Sequence, residues 1–112
     1  MNIQTNRTNE TIKKKVESFL GSIDNLTNHL NGDIFNFKNA LKDCVQDIPN
    51  ILEFSFNTGH LLERKKNIAI AKASLEQCKT YLSMLKSMRI VSTNDLIAQV
   101  EEINRLLESN QS

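Results

Sequence analysis

The side chains best equipped for chemistry in this 112-residue sequence are two histidines, two cysteines and a row of lysines. His60 and Glu63 stand three apart, a spacing that brings two ligands to one face of a helix. A metal site needs three or four converging ligands, and His29 is far away in sequence. Both histidines therefore read as exposed or capping side chains. Cys44 and Cys78 form no Cys-x-x-Cys pair, and each falls on an apolar repeat where a thiol packs as a small hydrophobe. Neither has a neighbouring base to make it a nucleophile. There is no Gly-rich phosphate loop, no framed pair of carboxylates and no Ser/His/Asp arrangement. The sequence predicts no catalytic residue, no metal, no cofactor and no small-molecule substrate.

The cations are more informative. The whole chain carries a net charge of +1, yet residues 60–89 hold Arg64, Lys65, Lys66, Lys72, Lys79, Lys86 and Arg89 against Glu63 and Glu76, a net of +5. Lys65, Lys72, Lys79 and Lys86 recur every seven residues. On a helix that spacing lines four ammonium groups along one stripe about 30 Å long. Two readings of the stripe stay open. It is a solvated face flanked by the acidic end of the chain (Glu101, Glu102, Glu108), with surface pairs of about 0–1 kcal/mol each. Or it is a track for phosphates, each contact releasing counterions. Tyr81 is the one aromatic on this segment, so binding of the second kind reads backbone and shape rather than bases.

A stripe of this kind needs a long helix, and the apolar pattern supplies one. Three Gly and one Pro are too few for the turns of a sandwich or barrel of short strands. Apolar residues recur in steps of three and four at Ile12, Val16, Phe19, Ile23, Leu26 and Leu30. Thr8 or Asn9 is expected to cap that first helix, and Asn31-Gly32 to end it. A second stripe runs Ile34, Phe37, Leu41, Cys44, Ile48 and Ile51 after a cap at Asp33. Pro49 must kink or restart this helix, because proline removes a donor and clashes with the preceding turn. Ser55 to Gly59 reads as the next break. The third helix carries Ile68, Ala71, Leu75, Cys78, Leu82 and Leu85, with Leu61, Tyr81, Met84 and Met88 widening its apolar face. Ala69, Ala71 and Ala73 would let another helix approach closely. Ser92 and Asp95 form a capping box before a fourth helix with Leu96, Val100, Ile103 and Leu107.

The expected organisation is a flexible tail over 1–8, an all-α, antiparallel up-down four-helix bundle over 9–108, and a flexible tail over 109–112. The four helices are expected at about 9–31, 34–54, 58–88 and 93–108. Neither a membrane span nor a signal-peptide core is evident, which predicts a cytoplasmic protein without a membrane partner. Apolar residues exceed what four seams require. Phe54, Phe56, Leu61 and Leu62 are the candidate interface for a partner subunit or another protein, and Ile97 and Leu106 give the fourth helix a second apolar edge. A wide core face is the competing reading.

Three stretches resemble the family of small four-helix-bundle proteins encoded in 23S rRNA intervening sequences, whose relatives include the accessory variability proteins of diversity-generating retroelements. Ile48-Pro49-Asn50-Ile51 looks like the family's Ile-Pro segment in helix two. Ile70-Ala71-Lys72-Ala73-Ser74-Leu75 is similar to its Ile-Ala-x-x-Ser-Leu run, and Glu102-Ile103-Asn104-Arg105-Leu106-Leu107 to its Glu-Ile-x-x-x-Leu segment. Glu53-Phe54-Ser55 stands where members carry Ala-Glu-Gly. The resemblance spans roughly residues 40–108. It implies a bundle assembled into a homo-oligomeric ring, typically a pentamer, with no enzymatic activity. In the retroelement branch it implies binding of RNA or DNA and of a reverse transcriptase. The sequence thus leads to a binding protein that uses the basic face of helix three. The alternative is a protein–protein adaptor or inhibitor of phage or mobile-element origin.

Overall fold

The fold grows from one helix whose buried row must be covered on three sides. A computed structural model describes residues 3–30 and 37–109, and these are helical apart from short connections. In chain order the helices are α1 (Ile3–His29), α2 (Phe37–Val45), α3 (Ile48–Asn57), α4 (Leu61–Ser87) and α5 (Asn94–Ser109). On α4, Ile68, Ala71, Leu75, Cys78, Leu82 and Leu85 are all fully buried. That row, spaced 3-4-3-4-3, packs against α2, α3 and α5. The same three helices pack on α1, whose Ile12, Val16, Phe19 and Ile23 close the core from the other side. α2 and α3 together occupy the place of one rod. The chain therefore makes four helical rods around one core, in a body of 47 × 20 × 19 Å.

The row on α4 and that on α5 (Leu96, Val100, Ile103, Leu107) are buried as the periodicity predicts. Elsewhere the burial slips by one residue. On α1, Thr27 is buried and Leu26 half-buried. On α2 and α3 the buried residues are Phe37, Leu41, Val45, Ile48, Leu52 and Ser55, so Val45 and Leu52 stand where Cys44 and Ile51 were expected.

Several boundaries differ from the sequence expectation. α1 begins at Ile3, so residues 3–8 are helical and Thr8 and Asn9 lie within the helix instead of capping it. No glycine or proline interrupts residues 3–20, and an established helix extends at little cost. The expected stop at Asn31-Gly32, the cap at Asp33 and the first stripe residue Ile34 lie outside the described residues, as do residues 110–112 of the expected tail. At Pro49 the chain restarts. α2 closes with Gln46 N–H donating to the Lys42 carbonyl at 3.0 Å, and α3 opens with Pro49 in its first turn, where no amide donor is required. α3 then runs past the expected break to Asn57. There Ser55 Oγ donates back to the Ile51 carbonyl at 2.8 Å, and Asn57 Nδ2 to that of Glu53 at 2.8 Å.

The expected capping box at Ser92 is also displaced. Ser92 is exposed, and it is Thr93 that precedes α5, its carbonyl accepting from Ile97 N–H at 3.0 Å. The Thr93 hydroxyl is buried and donates to the Leu82 carbonyl at 2.7 Å. It thus ties the start of α5 to the C-terminal part of α4. Thr93→Val should lower unfolding stability by about 1 kcal/mol, the usual net worth of such a bond. Leu82→Ala should lower it by about 2–5 kcal/mol through the cavity it leaves. Urea unfolding followed by circular dichroism reads both, and a Thr93→Val variant as stable as the parent would show the clasp to be idle.

Candidate binding surface

The groups that could have carried catalysis are dispersed. His29 is exposed, with Nδ1 2.7 Å from the Asn25 carbonyl in its own last turn. His60 and Glu63 are exposed at the start of α4. Among the described residues no group of three or more His, Cys, Asp or Glu is placed to hold a metal ion. Burial pushes the Cys78 thiol up to about 12, and burial followed by the Asp43 charge raises that of Cys44. Both effects suppress the thiolate, the reactive form.

The cationic row lies on the side of α4 that turns toward α5, and the structure divides it. In the middle, Lys72 Nζ contacts the Glu108 carboxylate, and Lys79 Nζ lies 3.5 Å from Glu101 and 4.0 Å from Glu76. Asn104 Nδ2 donates to Glu76 at 3.1 Å, adding α5 to the same seam. Lys72, Glu76, Glu101, Arg105 and Glu108 wall an open cleft of about 460 Å³ there. Toward the ends the arrangement changes. Lys65, Lys66, Lys86 and Arg89 are exposed and Arg64 is half-buried, and none of the five forms an ion pair among the described residues. Arg64 Nε is buried with no hydrogen-bond partner among the described residues. Of the seven cations singled out from the sequence, two are thus paired and five are open.

Arg89 has a further property. α4 ends with Ile90 N–H donating to the Leu85 carbonyl at 3.2 Å and Arg89 N–H to the Lys86 carbonyl at 3.0 Å. This is the terminus that usually takes glycine in its left-handed position. Here that position is Arg89, at φ 58°. An L-residue there is strained, while its positive charge is well placed against the carbonyl end of the helix.

The apolar candidates also sort into two groups. Phe54, Leu61 and Leu62 are 54%, 60% and 84% exposed, gathered where α3 turns into α4. Phe56 is half-buried and packs on the core, as Ile97 and Leu106 do. Ile70, Met84 and Met88, however, are 44%, 44% and 43% exposed. The sequence reading had assigned Met84 and Met88 to the core face and had not singled out Ile70 as a surface residue. At about 100° per residue, Leu62, Ile70 and Met84 fall within an arc of about 80° on α4, which they share with the exposed Lys66, Gln77 and Thr80, and Met88 follows at the helix end. Ala69 and Ala73 are exposed beside them. Projecting α4 as a wheel centred on its core row would have found this second apolar side.

Two ion pairs that the sequence reading passed over hold α1 in place. Lys13 Nζ is 2.6 Å from Glu53 on α3, and Lys15 Nζ is 2.7 Å from Glu102 on α5. Hydrogen bonding to Lys13, then to Asn57, holds the Glu53 carboxyl below its ordinary value, and Lys15 does the same for Glu102. No protein-family model, no curated protein and no solved structure matches this chain.

Arg89→Gly should raise unfolding stability by about 0.5–1 kcal/mol, relief of the left-handed strain exceeding the added chain entropy of glycine. A loss of stability in urea unfolding would show that the charge at the helix end outweighs the strain.

Proposed function

We propose that this chain is a non-enzymatic, antiparallel helical-bundle binding protein that self-associates and holds nucleic acid, RNA foremost, on the basic side of α4. One observation carries the reading. α4 gives a single side to the core, while its remaining surface and the residues that close it carry the open cations Arg64, Lys65, Lys66, Lys86 and Arg89 and the exposed apolar residues Leu61, Leu62, Ile70, Met84 and Met88. Phosphate binding by backbone charge needs such cations and little else. Lys72 and Lys79 remain within the proposed track, because exposed ion pairs of about 0–1 kcal/mol exchange readily for phosphate contacts. Assembly of several copies would sum their fields and strengthen attraction for a polyanion. The resemblance to the intervening-sequence family supports a ring, a pentamer by that analogy, and a reverse transcriptase as a protein partner.

A second reading has its own support. The apolar group Phe54, Leu61 and Leu62 suits a protein–protein adaptor or inhibitor, which would need no nucleic acid at all.

A gel-shift titration with RNA at low salt separates the two. Charge reversal at the open end, Lys65→Glu with Lys66→Glu, is expected to abolish retention, whereas Leu62→Glu leaves a shift. Retention unchanged by the charge reversals would contradict the nucleic-acid reading and favour the adaptor.

A further inference from the structure

Glu101 and Glu108 are seven residues apart on α5, as Lys72 and Lys79 are on α4, and the pairs meet in reverse order: Lys72 with Glu108, Lys79 with Glu101. Two carboxylates at this spacing present to the lysines two anions about 10 Å apart along the helix, as a phosphate backbone crossing the row could. Their positions leave Arg64, Lys65 and Lys66 open at one end of α4 and Lys86 and Arg89 at the other. We infer that Glu101 and Glu108 are an internal competitor, holding the middle of the cationic row so that a polyanion must displace them to use its full length. The inference rests on the nucleic-acid reading above.

Side chains of Lys72 and Lys79 are 27% and 33% exposed and those of Glu108 and Glu101 are 68% and 48% exposed, so each pair is wet on the carboxylate side. Such pairs open easily, since their attraction is screened and weak. A phosphate backbone offers denser charge and gains from counterion release as it replaces them. Each displaced glutamate then stands beside the bound polyanion and opposes it. The competitor therefore sets how much of the row is used: the ends engage first, and the middle follows only for ligands that reach across both. Glu76 adds to the same effect on Lys79 from within α4.

The test compares three forms of the full chain: the parent, Glu101→Gln with Glu108→Gln, and a charge-matched control, Glu17→Gln with Asp24→Asn. Both control residues are exposed on α1, which packs across the core from α4. Affinity for single-stranded polyuridine is measured by fluorescence anisotropy over a range of salt concentrations. The α5 variant is expected to bind severalfold tighter than the control. Its salt dependence should steepen by about 1.4 in the logarithmic slope, about 0.7 for each added contact on a single strand. Equal affinity of the α5 variant and the control would overturn the inference while leaving the nucleic-acid reading intact. Absence of binding in all three forms would overturn both. Thermal unfolding of the same proteins checks that the gain is not a folding effect. If the pairs only fasten α5 to α4, removing them lowers the melting temperature and leaves affinity at the control value, which also counts against the competitor.

Discussion

Everything else in this protein depends on the buried row Ile68, Ala71, Leu75, Cys78, Leu82 and Leu85. Those six positions occupy one side of a 27-residue helix, and every other helix except α1 packs directly against it. Burial of this kind fixes the rotation of α4 about its own axis. Once that rotation is set, Lys72 and Lys79 fall toward α5, and Leu62, Ile70 and Met84 fall outward. The chemistry of the surface is thus a consequence of the core's spacing.

The charges then follow from which helix neighbours which. α5 brings its carboxylates alongside the middle of α4, so a row that is uniform in sequence becomes uneven in space. α1 is fastened differently, through Lys13 to α3 and Lys15 to α5, at positions where a core side chain is flanked by a cation. These are surface pairs and contribute little stability singly. Each joins α1 to a neighbouring helix, Lys13 to α3 and Lys15 to α5.

The helices and the core rows on α4 and α5 were legible in the sequence, because a 3.6-residue period survives over long uninterrupted segments. The one-residue slips at Thr27, Val45 and Leu52 were not, because which of two adjacent residues is covered depends on how each helix is rotated against its own neighbours. Pro49 announced a discontinuity, yet whether it bends or restarts a helix depends on packing beyond its neighbours. The displaced start of α5 arose because Thr93 gives its hydroxyl to Leu82, a contact across eleven residues that no local cap rule contains. Of the surface, the cations and their seven-residue spacing were legible. Their division into paired and open sets required the register of α4 against α5. Met84 and Met88 were misassigned because an apolar residue near a core row is ambiguous until the row's centre is known.

The account turns on α4 having an outer side made to be covered, and the most direct measurement is the solution mass by light scattering coupled to size exclusion. The account predicts a discrete species at a multiple of the 12.8 kDa protomer, reduced to a single protomer by Leu62→Glu with Ile70→Glu. A parent protein of 12.8 kDa at every concentration would contradict it, and would leave that side of α4 without the neighbour its composition calls for.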